Sequence, residues 1–241
     1  MAFKNVLLTK KGRVYPVKDI KSDFHCKDGF IRSKELQLGK NLKTNLGVEM
    51  SIFSPFFIDL YKKLKRTAQI MTLKDIGTVI AETGINKKSK VVDAGTGSGA
   101  LSLFLAGVAK EVVSYEIREE FIKNAEKNKK MLGLKNIKFK HGDVSKNIDE
   151  TEVDVVIFDL LEPWAALKSA SKALKKGGFL VVYLPHISQT MQVIKEMEQQ
   201  GFVYLKTIEN IQRDWVIDEL KSRPANTIIG HTGFLTFARK F

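Results

Sequence analysis

The chain has almost no cysteine. Cys26 is the single one among 241 residues, so an intrachain disulfide framework and a thiolate zinc cluster are both excluded. Histidine is scarce as well. His25, His141, His186 and His231 are scattered, without a metal-ligand pair at helical spacing, and no metal is expected. No apolar run reaches the roughly eighteen residues of a membrane span. Met1-Ala2-Phe3-Lys4-Asn5 does not read as a secretory signal, so a cytoplasmic location is expected. Internal repeats and low-complexity segments are missing. Acidic residues are in deficit, 27 against 40 basic ones, for a formal net charge of +13. Such an imbalance favours polyanionic partners, RNA or DNA over a small metabolite. The local clusters at Tyr61–Arg66 and Lys123–Lys130 read individually as solvated faces. The length suits one large domain, or an ordinary domain with a small companion, and needs no staples.

What the chain does have is a glycine-rich turn. Val91-Val92-Asp93-Ala94 reads as an apolar strand that runs into Gly95-Thr96-Gly97-Ser98-Gly99, followed by the helix-like Ala100–Ala106. Glycine permits a sharp turn and a close approach of backbone to ligand. The helix start offers unpaired N–H groups. A nucleotide-like cofactor suits this place at the carboxyl end of a strand. Gly95-x-Gly97-x-x-Ala100 also satisfies the dinucleotide fingerprint, with Glu116 at a suitable distance for a ribose. Asp93 and the third glycine, Gly99, favour S-adenosylmethionine, because the D-x-G-x-G-x-G run resembles the first motif of class I methyltransferases.

Residues 1–60 read as a small β-rich domain, with short strand-like runs between Lys-Gly and Asp-Gly turn signals. Residues 61–90 hold helical segments that lead into the main domain, which takes in 61–241. From there strands are expected at 90–95, 111–116, 137–141, 153–159 and 179–184, alternating with helices near 98–108, 119–132, 164–175 and 187–200. The tail, 203–216 and 234–240, reads as consecutive strands. The expected fold is α/β: a Rossmann-like sheet of the class I methyltransferase type with an antiparallel C-terminal strand.

Three carboxylates fall at strand ends. Glu116 is placed to accept ribose hydroxyls, and Asp143 to accept from the adenine amino group of a cofactor. Asp159 ends an apolar strand that delivers its charge beside the cofactor's methyl, where it both lines the cofactor and acts in catalysis. The bland alternatives are a surface Glu, a Gly-Asp turn and a helix N-cap.

The segments Gly95–Ala106, Ser114-Tyr115-Glu116, Phe158-Asp159-Leu160-Leu161-Glu162-Pro163-Trp164 and Gly230-His231-Thr232-Gly233-Phe234-Leu235 resemble the tRNA adenine-58 N1-methyltransferases of archaea and bacteria. The resemblance runs from about Arg66 to Phe241. It implies a homotetramer that modifies the T-loop adenosine of tRNA. It also implies that Gly97, Ser98, Gly99, Ala100 and Leu101 line the cofactor with Gly95, Glu116 and Asp143, and that Asp159 contacts the target base. One departure stands out. Thr72 occupies the place where that family often has tyrosine in a Tyr-Pro-Lys-Asp run, so stacking on the target base must come from elsewhere. Restoring the ring is expected to tighten substrate handling or extend it to position 57. A precorrin-type small-molecule methyltransferase would not need the basic excess, and a non-catalytic tRNA-binding subunit would be expected to have a degraded glycine motif.

Overall fold

The computed structural model describes residues 3–218 and 220–241. They fall into two compact units. One runs to Leu64 and includes Lys130–Gly133; the other takes in Lys65–Lys129 and Leu134–Phe241.

The first unit is antiparallel β. It holds β1 (Asn5–Thr9), β2 (Val14–Val17), β3 (Phe24–Cys26), β4 (Gly29–Ile31), β5 (Asn41–Lys43) and β6 (Glu49–Phe53). Four of these form a sheet in the order β2-β1-β6-β5, while β3 pairs with β4. A short helix, α1 (Phe57–Tyr61), follows. Leu7, Val17, Ile31, Met50 and Ile52 are buried together. The Asp28-Gly29 turn signal is explained by Gly29, whose φ of 107° is a conformation few side chains tolerate.

The second unit opens with α2 (Leu73–Thr83). It continues through β7 (Lys90–Ala94), α3 (Ala100–Ala106), β8 (Glu111–Glu116), α4 (Glu119–Leu132), β9 (Ile137–His141) and β10 (Val153–Phe158). Then come a 3-10 turn (Pro163–Ala166), α5 (Leu167–Ala173), β11 (Leu174–Leu184) and α6 (Ile187–Gln199). The tail holds β12 (Phe202–Glu209), β13 (Trp215–Ile217), β14 (Ser222–Pro224) and β15 (Phe234–Lys240). Seven of these strands form one sheet in the order β12-β15-β11-β10-β7-β8-β9. The run from β11 to β9 is parallel, and β15 lies antiparallel between β11 and β12. Val155, Val156, Ile157 and Phe158 of β10 are all buried. This is the reason for the strand's unbroken apolar run: both faces of a parallel sheet are covered. Strand order reverses at β7, so the crevice beyond its carboxyl end is where such sheets accept ligands.

The fold expected from sequence is the one observed, a Rossmann-like α/β sheet with an antiparallel C-terminal strand and a small β-rich N-terminal region. Boundaries differ at two places. The helix expected over 164–175 stops at Ala173, because Leu174 already pairs with Val153 and starts β11 five residues earlier than its apolar core suggests. The strand expected over 203–216 ends at Glu209. The residues after it make a separate hairpin, β13 with β14. No glycine or proline marks the break at 210–214, so the pattern reads as continuous. Among the described residues, no helix is long and apolar enough to cross a membrane.

Candidate active site

The glycine turn is tied to the two strands beside it. Gly95 N–H donates to Tyr115 O (3.0 Å), and Asp159 N–H donates to Ala94 O (2.9 Å). Gly97 N–H donates to Glu116 Oε2 (3.0 Å). The sequence-selected Gly95, Gly97, Glu116 and Asp159 therefore converge on one spot at the ends of β7, β8 and β10.

Each glycine has its own reason. Gly95 has φ 96° and lies against the Asp159 backbone. Gly99 has φ 77°, and a Cβ there would meet Leu103 at 3.0 Å and Ala125 at 3.2 Å, so it lets α3 pack on α4. Ala100 and Leu101 start α3 as buried residues.

Glu116 is buried, and both its oxygens already accept hydrogen bonds. Oε2 takes Gly97 N–H, while Oε1 takes the N–H groups of Ile117 (3.1 Å) and Arg118 (3.2 Å). A carboxylate oxygen carries two lone pairs, so Oε2 keeps one for a further donor. Asp93 lies deeper. Its Oδ2 accepts from Ser114 Oγ (2.6 Å), which in turn is 2.6 Å from Thr96 Oγ1. Its Oδ1 is buried and has no partner among the described residues. Burial, with the charges of Asp159 and Glu116, pushes the Asp93 carboxyl up to about 7. Asp159 keeps partial exposure at the mouth, and burial pushes it up to about 6. Among the described residues no His, Cys, Asp and Glu cluster is arranged to hold a metal. The site therefore gathers three carboxylates, Asp93, Glu116 and Asp159, around the glycine turn. That chemistry fits a cationic ligand such as S-adenosylmethionine, and opposes the anionic pyrophosphate of a dinucleotide.

Asp143 is half-buried just after β9, next to Gly142, whose N–H donates to Glu116 O (3.0 Å). Asp143 Oδ1 accepts from Ser145 N–H (2.9 Å) and Ser145 Oγ (2.6 Å), which hold the carboxyl below its usual range. The loop is clamped further on. Tyr115 OH donates to Glu150 Oε2 (2.6 Å), and Lys140 pairs with Asp149 and Glu150. Ser98 is buried, and its Oγ accepts the N–H groups of Thr67 (2.8 Å) and Ala68 (3.4 Å).

Several residues here had no individual role in the sequence reading, although Gly230–Leu235 was singled out as a motif. Tyr183 ends β11 beside Asp159 and donates to Thr232 O (2.7 Å). Gly233 lies under its ring; a Cβ there would be 2.6 Å from ring atoms. Asp75, fully buried, accepts from Lys74 Nζ (2.8 Å), Thr72 Oγ1 (2.8 Å), Thr232 Oγ1 (2.8 Å) and Asn210 Nδ2 (3.2 Å). Burial alone would raise its pKa, but these donors outweigh it and hold the carboxyl low. His231 sits with Nδ1 at 2.5 Å from Glu209 Oε1 and Nε2 at 2.8 Å from Pro185 O. The Gly230–Leu235 segment thus secures Tyr183 and joins α2 to the C-terminal strands. Asn124 and Asn128, buried at i, i+4 on a helix otherwise rich in Lys and Glu, were a legible signal read only as part of a basic cluster.

Known proteins of similar sequence and fold point the same way. A family model described as the tRNA methyltransferase complex GCD14 subunit matches residues 60–221. A tRNA (adenine(57)-N(1)/adenine(58)-N(1))-methyltransferase TrmI from Methanocaldococcus jannaschii is 36% identical over 97% of this chain and 94% of the relative. A SAM-dependent O-methyltransferase structure from Thermotoga maritima superposes with a TM-score of 0.87 at 28% identity, covering 99% of this chain and 93% of that one. The tRNA (m1A58) methyltransferase TrmI of Aquifex aeolicus gives 0.83 at 27% identity, covering 100% and 99%.

Proposed function

The chain belongs to the family of tRNA methyltransferase complex GCD14 subunits, and we propose accordingly that it transfers a methyl group from S-adenosylmethionine to N1 of adenosine 58 in the T-loop of tRNA. The observation that carries this reading is the carboxylate pocket at the glycine turn. There the charges of Glu116 and Asp159 help to raise the Asp93 pKa, and Glu116 accepts from the turn itself.

Bound there, S-adenosylmethionine supplies an electrophilic methyl on a positively charged sulfur. Gly95, Gly97, Ser98, Gly99, Ala100 and Leu101 shape the turn that receives it. Glu116 accepts from the ribose through the free lone pair of Oε2, and Asp143 accepts from the adenine amino group. Adenine N1 of the tRNA base has its own lone pair, so no proton has to be removed before attack. The work left to the protein is alignment, with reacting atoms held at about 3–3.5 Å. Asp159 accepts from the N6 amino group of the target base, leaving the adjacent N1 toward the methyl. Its negative charge opposes the positive charge that grows on the ring. The base has to leave its tertiary position to reach this pocket, as in base flipping.

The partner is tRNA, in keeping with the net charge of +13, and the enzyme is placed in the cytoplasm with it. We assign a homotetramer. Trp215, Ile217 and Leu220, exposed on and next to the β13–β14 hairpin, support self-association, and sedimentation of the purified chain tests it.

The deciding experiment is methyl transfer from labelled S-adenosylmethionine to bulk tRNA, followed by mass spectrometry of the digested nucleosides. The expected product is 1-methyladenosine at position 58, with any modification at 57 read from the same fragments. N6-methyladenosine or 5-methylcytidine as the only product overturns the assignment.

A further inference from the structure

Residues Lys65–Ala68 form a strap beside the glycine turn, and polar bonds hold it there. Asn128 Oδ1 accepts Lys65 N–H (3.0 Å). Asn128 Nδ2 donates to Lys65 O (3.1 Å) and to Ser98 O (2.9 Å). Asn124 Nδ2 donates to the same Lys65 carbonyl (2.8 Å), and Ser98 Oγ takes the N–H groups of Thr67 and Ala68. Ala68 Cβ lies 3.7 Å from where a Cβ on Gly97 would stand.

Burying two asparagines is unfavourable unless their polar atoms find partners. Here they find the strap backbone. Yet the strap buries nothing large in return, because Lys65, Arg66 and Thr67 are exposed and Ala68 is half-buried. The clamp therefore does not serve the core. It fixes the backbone from which Lys65 and Arg66 project, next to the turn of the candidate active site.

Those two cations, and the exposed Lys127 beside Asn128 on α4, have no carboxylate partner among the described residues. Elsewhere on α4, Lys123 pairs with Glu119 (3.6 Å) and Lys129 with Glu126 (3.4 Å), while the exposed Lys130 lies in the part of the helix that belongs to the first unit. Glu120, a turn before Asn124, is the exposed acid of this helix that is left over. Unpaired cations on and beside a pinned backbone match a polyphosphate chain, which is bound through its charge and positioned without regard to sequence.

We propose that Lys65, Arg66 and Lys127 form a phosphate-contacting edge for the tRNA backbone, and that Asn124, Asn128 and Ser98 hold this edge in register with the glycine turn. The proposal rests on the tRNA reading above and adds where the RNA backbone is gripped. It also links the two ligands: one backbone segment contacts the RNA and is bonded to Ser98 in the cofactor turn.

The test compares tRNA binding by the parent, K65Q/R66Q, K65Q/R66Q/K127Q and a control, K195Q, across a salt series. Lys195 is an exposed lysine on α6. The log–log salt slope should be clearly negative in the parent. Each phosphate left without its cation should make the slope shallower by about 1, so by about 2 in the double and about 3 in the triple variant. K195Q should follow the parent. Calorimetric affinity for S-adenosylmethionine should stay at the parent level in all four, which separates a weakened phosphate grip from a damaged fold. A double variant with the parent's steep slope overturns this proposal and leaves the tRNA reading standing. So does K195Q losing as much slope as K65Q/R66Q. A parent with a flat slope overturns the tRNA reading and the proposal together.

Discussion

The α-carbon of Gly95 rests against the carbonyl oxygen of Asp159: a methyl group added there would come within 2.1 Å of it. Both partners are backbone, so neither can rotate away, and the φ of 96° is itself unfavourable for any side chain. Gly95→Ala should therefore displace the end of β10 and with it the Asp159 carboxylate. We expect a loss of about 1–3 kcal/mol in stability and of most affinity for S-adenosylmethionine. Thermal unfolding and calorimetric titration check this. A variant with parent melting temperature and parent affinity refutes the packing argument.

Asp159→Ala should weaken cofactor binding and, at saturating S-adenosylmethionine, still lose methyl transfer by roughly a hundred- to a thousandfold, as when one preorganised electrostatic partner is removed. Single-turnover transfer to tRNA measures the rate, and titration with S-adenosylmethionine measures the binding. Parent-like turnover would leave Asp159 a structural residue.

Protonation should be linked to the cofactor. Asp93 is pushed up to about 7 and Asp159 to about 6, against about 3.9 for an ordinary aspartate. The folded protein therefore holds these protons more tightly than the unfolded chain. Their contribution to stability is fully present below about pH 4 and is lost as pH rises through about 6 to 7. A cationic ligand favours the ionised carboxylates, so its binding should release protons near pH 6 and tighten as pH rises. Titration in two buffers of different ionisation enthalpy reads the proton count directly. Equal apparent enthalpies in both would rule the linkage out. The pyrophosphate of NAD should not bind at all.

Asn128→Ala removes the acceptor for Lys65 N–H and the donor to two carbonyls. Hydrogen exchange at the Lys65 and Thr67 amides should rise well above the parent, with a stability loss of about 1–3 kcal/mol. Unchanged exchange at both amides would show that Ser98 and Asn124 secure the strap without Asn128.

Thr72 is not a free position awaiting a ring. Its hydroxyl donates to the buried Asp75 carboxylate at 2.8 Å. Thr72→Tyr withdraws that donor, at about 1–3 kcal/mol, against a stacking gain of about the same size. We expect a lowered melting temperature and no clear gain in tRNA affinity. A tyrosine variant with the parent's stability and tighter binding would favour stacking over the Asp75 network. Fragment mass spectrometry shows whether position 57 is taken up.

Local patterns in the chain were enough to specify the parallel sheet, its antiparallel final strand and the position of the glycine turn. Those patterns are the apolar runs at 155–158 and 179–184, the alternation of strands and helices, and glycines at alternate positions after β7. They also marked Glu116 and Asp159, because a carboxylate at the end of a parallel strand has one place to go. Which polar atoms meet was settled by the folded arrangement alone. Asp75 takes donors from Asn210 and Thr232, more than a hundred residues away, and Asn128 reaches back to Lys65. Ser98 turned out to serve the strap, and Gly233 proved to be packed against the Tyr183 ring. No periodicity encodes such pairings. They arise because a buried polar atom must find a partner wherever the folded chain brings one within reach.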